Sequence, residues 1–268
     1  MRLSEPAPAK LNLALHVRGK RPDGRHELET IFAFCTDGDI LHLEAANRLS
    51  LEVTGPFAAA LAGDGDNLVL KAAEALAGQS GVTAGAALTL VKKLPVASGI
   101  GGGSADAAAG LRLLTRLWGI DPAHAQTVAP SLGADVPACL LSMTARGSGA
   151  GDEILLFEDP AIANTPVLLV NPRIPVSTGA VFAEWDGIDR GPLGDWRTGR
   201  NDLEKPARQV AAEIGDVLKW LAKRQGTSFV RMSGSGATCF AIFETEQNRD
   251  LAAAAVPPDW WHLATFLR

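Results

Sequence analysis

Cysteine is scarce in this 268-residue chain and tyrosine is missing altogether. Cys35, Cys139 and Cys239 are odd in number, far apart and outside any CxxC or Cys/His ligand spacing. That argues against a disulfide framework and against a zinc site, and buried free thiols in a reducing compartment are expected. Long hydrophobic runs are lacking too. No stretch of about 18 apolar residues occurs, and "MRLSEPAPAK" has no apolar signal core, so a soluble, cytoplasmic protein without membrane association is expected. Positive charge is in deficit: 25 Lys and Arg stand against 30 Asp and Glu, a formal net charge of −5. This leaves no basic footprint for nucleic acid as the principal partner.

What is abundant is glycine, 28 residues, within a composition that is 47% hydrophobic. A chain of this size and make-up folds as one large domain or two ordinary ones. "KLNLALHV" alternates strictly, with Leu11, Leu13, Leu15 and Val17 on one face and Lys10, Asn12 and His16 on the other. It reads as a half-buried strand whose polar face carries a lysine and an amide. Asp23-Gly24 marks a turn. "ETIFAFC", "DILHLEA" and "LSLEV" read as further strands, so the first sixty residues suggest a meander.

"GDGDNLVLKAAEALAG" predicts a helix with Asp66 or Asn67 as its N-cap and Gly78 as its stop. "AALTLVKKLP" predicts a strand ending at Pro95. A helix over 104–118 closes at Gly119, and Asp121-Pro122 starts another with a cap and a proline at its first position. From about residue 160 the pattern renews. "TPVLLVNP" is a strand and "STGAVFAEW" a short helix. "DLEKPARQVAAEIGDVLKWLAKRQG" is helical with a possible kink at Pro206, and "SFVRMSGSGATCFAIF" is two strands joined by a glycine-serine loop. "DGIDRGPLGDWRTGR" reads as surface loop. The best division lies near residue 160, giving 1–160 and 161–268.

The most informative stretch is "LPVASGIGGGSADAAAGLRLL", residues 94–114. It fits neither GxGxxG, because Ser104 or Asp106 falls where the last glycine belongs, nor GxxxxGK[ST], because no lysine stands in place. The physics beneath those motifs still applies: a glycine run lets backbone N–H groups converge on an anion, and the helix that follows adds its positive end. Ser104 stands where an N-cap hydroxyl belongs, able to serve the helix or a metal–phosphate group. Lys10 on its strand and Asp135 in "LGADVP" supply a cation and a carboxylate. With a phosphate cradle, these are the parts that phosphoryl transfer needs.

With those residues in view, the sequence resembles the GHMP kinases, the family of galactokinase, homoserine kinase, mevalonate kinase and phosphomevalonate kinase. "LPVASGIGGGSADAA" carries the resemblance. "PAKLNLALHVRGKRPDGRHELETIF", "DNLVLKAA", "LGADVPACL" and "SGSGATCFAIF" extend it in order over residues 6 to about 245. The resemblance implies an α+β fold of two domains: a ribosomal S5 domain-2-like, ATP-binding N-terminal domain and a ferredoxin-like C-terminal domain. It implies ATP-dependent phosphorylation of the 2-hydroxyl of 4-diphosphocytidyl-2-C-methyl-D-erythritol in isoprenoid precursor synthesis, with Mg²⁺, by a monomer or homodimer.

Carried over by position, Lys10 and Asp135 are the catalytic pair, Asp135 taking or positioning the hydroxyl proton and Lys10 keeping Asp135 ionised. Pro95, Val96, Ala97, Ser98, Gly99, Ile100, Gly101, Gly102, Gly103, Ser104 and Ala105 wrap the ATP phosphates, with Asn67 and Lys92 near the nucleotide. Ser104 is the candidate Mg²⁺ ligand. Asn12, Arg25, His26, Thr178 and Phe182 hold the cytidyl substrate, Asn12 and His26 at the base edge and Phe182 on its face. Arg25 stands where the family has a stacking tyrosine, and its guanidinium plane is expected to stack in its place. "SGSGATCF" is either a glycine loop near the site or a tight strand connection. Two other readings are another GHMP kinase, acting on homoserine, mevalonate or a sugar, and a non-catalytic module that binds nucleic acid.

Overall fold

A computed structural model describes residues 2–61 and 67–268. Two long strands, β1 (Arg2–Lys20) and β2 (His26–Ala46), are followed by β3 (Ser50–Thr54), α1 (Leu68–Ser80), β4 (Gly85–Val91), α2 (Gly102–Trp118), α3 (Pro122–Leu132) and α4 (Val136–Leu141). Then come β5 (Ala145–Ser148), β6 (Glu153–Leu156), β7 (Pro166–Asn171), α5 (Thr178–Ala183), α6 (Glu204–Val210) and α7 (Glu213–Ala222). The chain ends with β8 (Thr227–Met232), β9 (Cys239–Phe243), α8 (Glu246–Ala254) and β10 (Trp261–Phe266).

β1 pairs with β2 after the Asp23-Gly24 turn, where Gly24 takes a φ of 86°. The alternation in β1 is real, but the strand is not half-buried. Lys10, Asn12 and His16 are as inaccessible as the leucines between them. Alternation says which face a side chain takes, and a strand covered on both faces keeps it wherever the polar residues find partners. "ETIFAFC" and "DILHLEA" form one strand, β2. β3 runs parallel to β4 from Ser50↔Ala87 to Thr54↔Val91, so it does not continue a meander.

Several element ends shift from their sequence-based positions. Asn67 caps α1, its side-chain oxygen accepting from the Val69 N–H at 2.9 Å; Asp66 lies outside the described residues. The helix runs through Gly78 and stops at Gly81, where φ is 71°. β4 ends at Val91, leaving Lys92 beyond the strand. α2 begins at Gly102 behind a left-handed Gly101, two residues before the expected start, so Ser104 lies inside the first turn and does not cap it. The expected kink at Pro206 is instead a break at Ala211, whose φ and ψ are extended. Pro206 sits in the first turn of α6, where a missing N–H forfeits no helical hydrogen bond.

The chain divides into two compact units that do not follow a single cut near residue 160. One comprises Met1–Ala9, Asp37–Val96 and Gly101–Ser142; the other comprises Lys10–Thr36, Ala97–Ile100 and Met143–Arg268. β1 and β2 are long enough to give one end to each. In the first unit β2, β4 and β3 form a sheet whose Leu41, Leu43, Leu88 and Leu90 are buried, as are Val69, Ala72 and Leu76 of α1 and the alanine-rich face of α2. In the second unit β2 pairs with β5 and β5 with β6, and a separate antiparallel sheet has the order β10-β7-β9-β8. A core there joins Leu15 and Val17 of β1 with Leu168, Val170, Val181, Ile214, Val217 and Phe243. The three cysteines are buried thiols without a disulfide. Among the described residues no helix is long and apolar enough to cross a membrane.

Candidate functional site

In the second unit, residues 10–12 of β1, the 98–100 segment of the glycine loop and the β8–β9 connection form one hydrogen-bonded node. The Lys10 N–H donates to the Ile100 carbonyl at 2.9 Å, and the Thr238 N–H to the Ser98 carbonyl at 3.1 Å. Ser233 Oγ donates to the Gly99 carbonyl at 2.9 Å and accepts the Asn12 N–H at 3.1 Å. Gly99 has a φ of 76°, and a Cβ there would lie 2.6 Å from the carbonyl oxygens of both Ser233 and Gly236. Only glycine fits so close to another backbone. "SGSGAT" is therefore a tight strand connection that also holds part of the glycine loop.

Lys10 is only 2% exposed. Its Nζ donates to Asn12 Oδ1 at 3.0 Å and lies 5.1 Å from the centre of the Phe32 ring. Asn12 Nδ2 donates to Thr30 Oγ1 at 2.8 Å, and Thr30 in turn donates to the Ala14 carbonyl. Asn12, expected at a base edge, has both ends of its amide engaged inside the sheet, one on Lys10 and one on Thr30. Its visible work is to orient the lysine.

The other expected substrate residues gather in the same unit. His26 lies flat on Phe182, ring centroids 4.5 Å apart with 22° between planes, and meets Trp185 edge-on at 5.5 Å. His26 covers that face of Phe182 in this structure. Burial, with a smaller contribution from Lys20, holds the His26 pKa below its ordinary value, so the ring is neutral at pH 7. Thr178 and Ser235 share a hydrogen bond of 2.9 Å. Arg25 does not stack in this structure. Its guanidinium, 54% exposed, pairs with Asp23 at 2.9 Å and Asp152 at 3.3 Å. Trp185, a single indole just past the end of a short helix, carries no motif by which it could be singled out.

Pro95 and Val96 and the start of α2 belong to the first unit. There Gly101 turns the chain into the helix, and the first N–H groups of α2 are left without a capping side chain, the arrangement that suits an anion. Ser104 is half-buried in that first turn. Asp135 occupies the N-cap position of α4 but its side chain does not cap the helix.

Lys92, expected near the nucleotide, is engaged by two carboxylates. It is 1% exposed, and its ammonium donates to Asp39 at 2.5 Å and to Asp106 at 2.6 Å. Asp39 also accepts the N–H groups of Lys93 and Leu94. A cation so held acts from beneath α2, tying the end of β4 to the helix, and has no solvent-facing end to offer. Burial depresses its pKa, and the two carboxylates more than reverse this, leaving it above the ordinary value. Burial also raises Asp106 to about 7, Lys92 pulling it down and Asp39 pushing it up.

Among the described residues no group of three or more His, Cys, Asp or Glu gathers as a metal site. The hydroxyl of Ser104, in the first turn of α2, is an oxygen donor of the class that Mg²⁺ takes.

Comparison with known proteins follows the same lines. The model of the GHMP kinases N terminal domain matches residues 67–143, and that of the GHMP kinases C terminal matches residues 187–262. A 4-diphosphocytidyl-2-C-methyl-D-erythritol kinase of Rhizorhabdus wittichii is 52% identical, covering all of this chain and 96% of its own. A crystal structure of 4-(cytidine 5'-diphospho)-2C-methyl-D-erythritol kinase superposes with a TM-score of 0.84 at 31% identity, covering 99% of both chains. Homoserine kinase from Cytophaga hutchinsonii superposes with a TM-score of 0.69 at 15% identity, covering 99% of this chain and 95% of its own, a likeness of fold alone.

Proposed function

The chain belongs to the GHMP kinase family and has its two-domain α+β fold, and on that premise we infer that it phosphorylates 4-diphosphocytidyl-2-C-methyl-D-erythritol with ATP, in the methylerythritol phosphate route to isoprenoid precursors. The observation that carries this is the 52% identity with a kinase of that substrate along the full chain. The fold likeness to homoserine kinase does not discriminate between alcohols.

In the reaction the substrate 2-hydroxyl gives up its proton, its oxygen forms a bond to the γ-phosphorus, the bond from that phosphorus to the β-phosphate oxygen breaks, and ADP leaves. Asp135 accepts the hydroxyl's hydrogen bond, and the proton follows as the new bond forms. Lys10, held in one direction by Asn12, supplies positive charge to the developing oxyanion. Residues 95–105 wrap the phosphates, the free backbone N–H groups of the glycine run serving as donors, which explains why this loop works without a lysine of its own. Ser104 is the residue that would hold Mg²⁺, which when bound neutralises phosphate charge. His26, Phe182 and Thr178 hold the cytidylyl end, while Arg25, engaged by two carboxylates, sits beside it as a charge.

The test is ADP release under saturating Mg-ATP for wild type, Lys10→Met and Asp135→Asn. Losses in kcat on the order of 10²–10⁴-fold are expected for each, with the fold intact by circular dichroism. A variant that keeps wild-type kcat loses its place in the mechanism.

A further inference from the structure

Trp185 is the one aromatic of the His26 cluster to which the sequence assigns no task. It follows Phe182 by three residues, so the turn at the end of α5 brings both rings to the same side, and its own N–H donates to the Phe182 carbonyl. Its indole Nε1 is buried and has no hydrogen-bond acceptor among the described residues. A buried N–H without an acceptor is costly, and a buried tryptophan ordinarily has one. An indole donates and never accepts, so what is missing here is an acceptor.

We propose that Trp185 is a specificity-determining residue of the proposed kinase, its indole N–H donating to an acceptor on the cytosine of the substrate beside the platform formed by His26 and Phe182. This rests on the function inferred above. Three observations choose the base over the diphosphate. The surroundings are flat aromatic rings, a surface that suits a nucleobase. Trp185 is a neutral donor, and His26 beside it is neutral at pH 7. Arg25, the sequence neighbour of His26, is already paired with Asp23 and Asp152, so its guanidinium is not poised for an anion. Cytosine presents a carbonyl oxygen and a ring nitrogen as adjacent acceptors, either of which meets the need.

The decisive variant is Trp185→Phe, which keeps an aromatic ring and removes only the donor. We expect KM for the cytidyl substrate and the inhibition constants of CMP and of cytidine to rise together, about three- to tenfold as one neutral hydrogen bond allows. KM for ATP and kcat should stay within twofold. Unchanged substrate KM and unchanged CMP inhibition in a folded Trp185→Phe protein would overturn the proposal. So would a rise confined to CMP with cytidine unaffected, which would place the donor on phosphate. A measurement on the wild-type protein does not depend on the variant folding: of the six indole N–H resonances, one should move downfield on titration with cytidine, and six unmoved resonances contradict the assignment. If wild type neither turns over the cytidyl substrate nor binds CMP, the functional reading itself has failed. If wild type does both and Trp185→Phe is unaltered, only the role of Trp185 has.

Discussion

The Lys10 ammonium donates to the side-chain oxygen of Asn12, 3.0 Å away and two residues along the same strand face. Asn12 is in turn held by Thr30, so the direction of the lysine depends on a hydroxyl that never meets it. Thr30→Val keeps the shape and removes the acceptor for the Asn12 amide. We predict that kcat falls about tenfold with the substrate KM within twofold, measured by steady-state ADP release. An increase in KM at constant kcat would mean that Asn12 reads substrate after all.

Asp39 and Asp106 share one ammonium but are not equivalent. Asp39 accepts two backbone N–H groups as well as Lys92, whereas one oxygen of Asp106 is buried with no partner. Asp39→Asn places an amide N–H₂ against a donor and should cost about 3 kcal/mol or more in urea unfolding. Asp106→Asn should cost about 1 kcal/mol or less at pH 7.

The same pair predicts a pH dependence. The folded pKa of Asp106 is raised to about 7, so the folded state binds its proton more tightly than the unfolded chain does. Its contribution to stability is complete below the ordinary carboxylate value of 3.8 and is lost as pH rises through about 7. Between pH 5 and 8 the wild-type Tm should therefore lose more than that of Asp106→Asn, measured in matched buffers.

These contrasts mark the limit of what the sequence discloses. The glycine loop, the alternation of β1 and the cap at Asp121 rest on local rules, and the structure has all three; the Asp121 side chain accepts from the Ala123 N–H at 2.9 Å. The buried ion pairs of Lys92 are invisible in "KKLP", which looks like any polar strand end, because the carboxylates arrive from positions 39 and 106, which no local pattern links. The partner of Asn12 is hidden for the same reason: the sequence shows the amide and not that Thr30 meets it. The burial of both faces of β1 also comes from outside the strand.

Arg231 is a second long-range feature. It is buried on β8 and its guanidinium donates to the carbonyls of Leu13, Trp196 and Gly199, with no carboxylate paired to it among the described residues. Burial lowers its pKa to about 10, Glu204 opposing the shift. Arg231→Lys keeps a charge but cannot reach three carbonyls at once. We predict a loss of about 2–4 kcal/mol in chemical unfolding and a larger one for Arg231→Ala.

Gly99 tests the node around the glycine loop. Its left-handed backbone and the carbonyls of Ser233 and Gly236 leave no room for a methyl group. Gly99→Ala should raise the ATP KM at least about tenfold and lower Tm, whereas Gly119→Ala, with nothing within 4 Å of its Cβ position, should lower Tm alone.

The substrate assignment is tested most directly by measuring ADP release with Mg-ATP and 4-diphosphocytidyl-2-C-methyl-D-erythritol beside homoserine and mevalonate, in wild type and Asp135→Asn. The account predicts turnover of the cytidyl substrate alone, inhibited by CMP and lowered on the order of 10²–10⁴-fold in the variant. Turnover of homoserine or mevalonate in its place, or cytidyl turnover at the wild-type rate in Asp135→Asn, would contradict it.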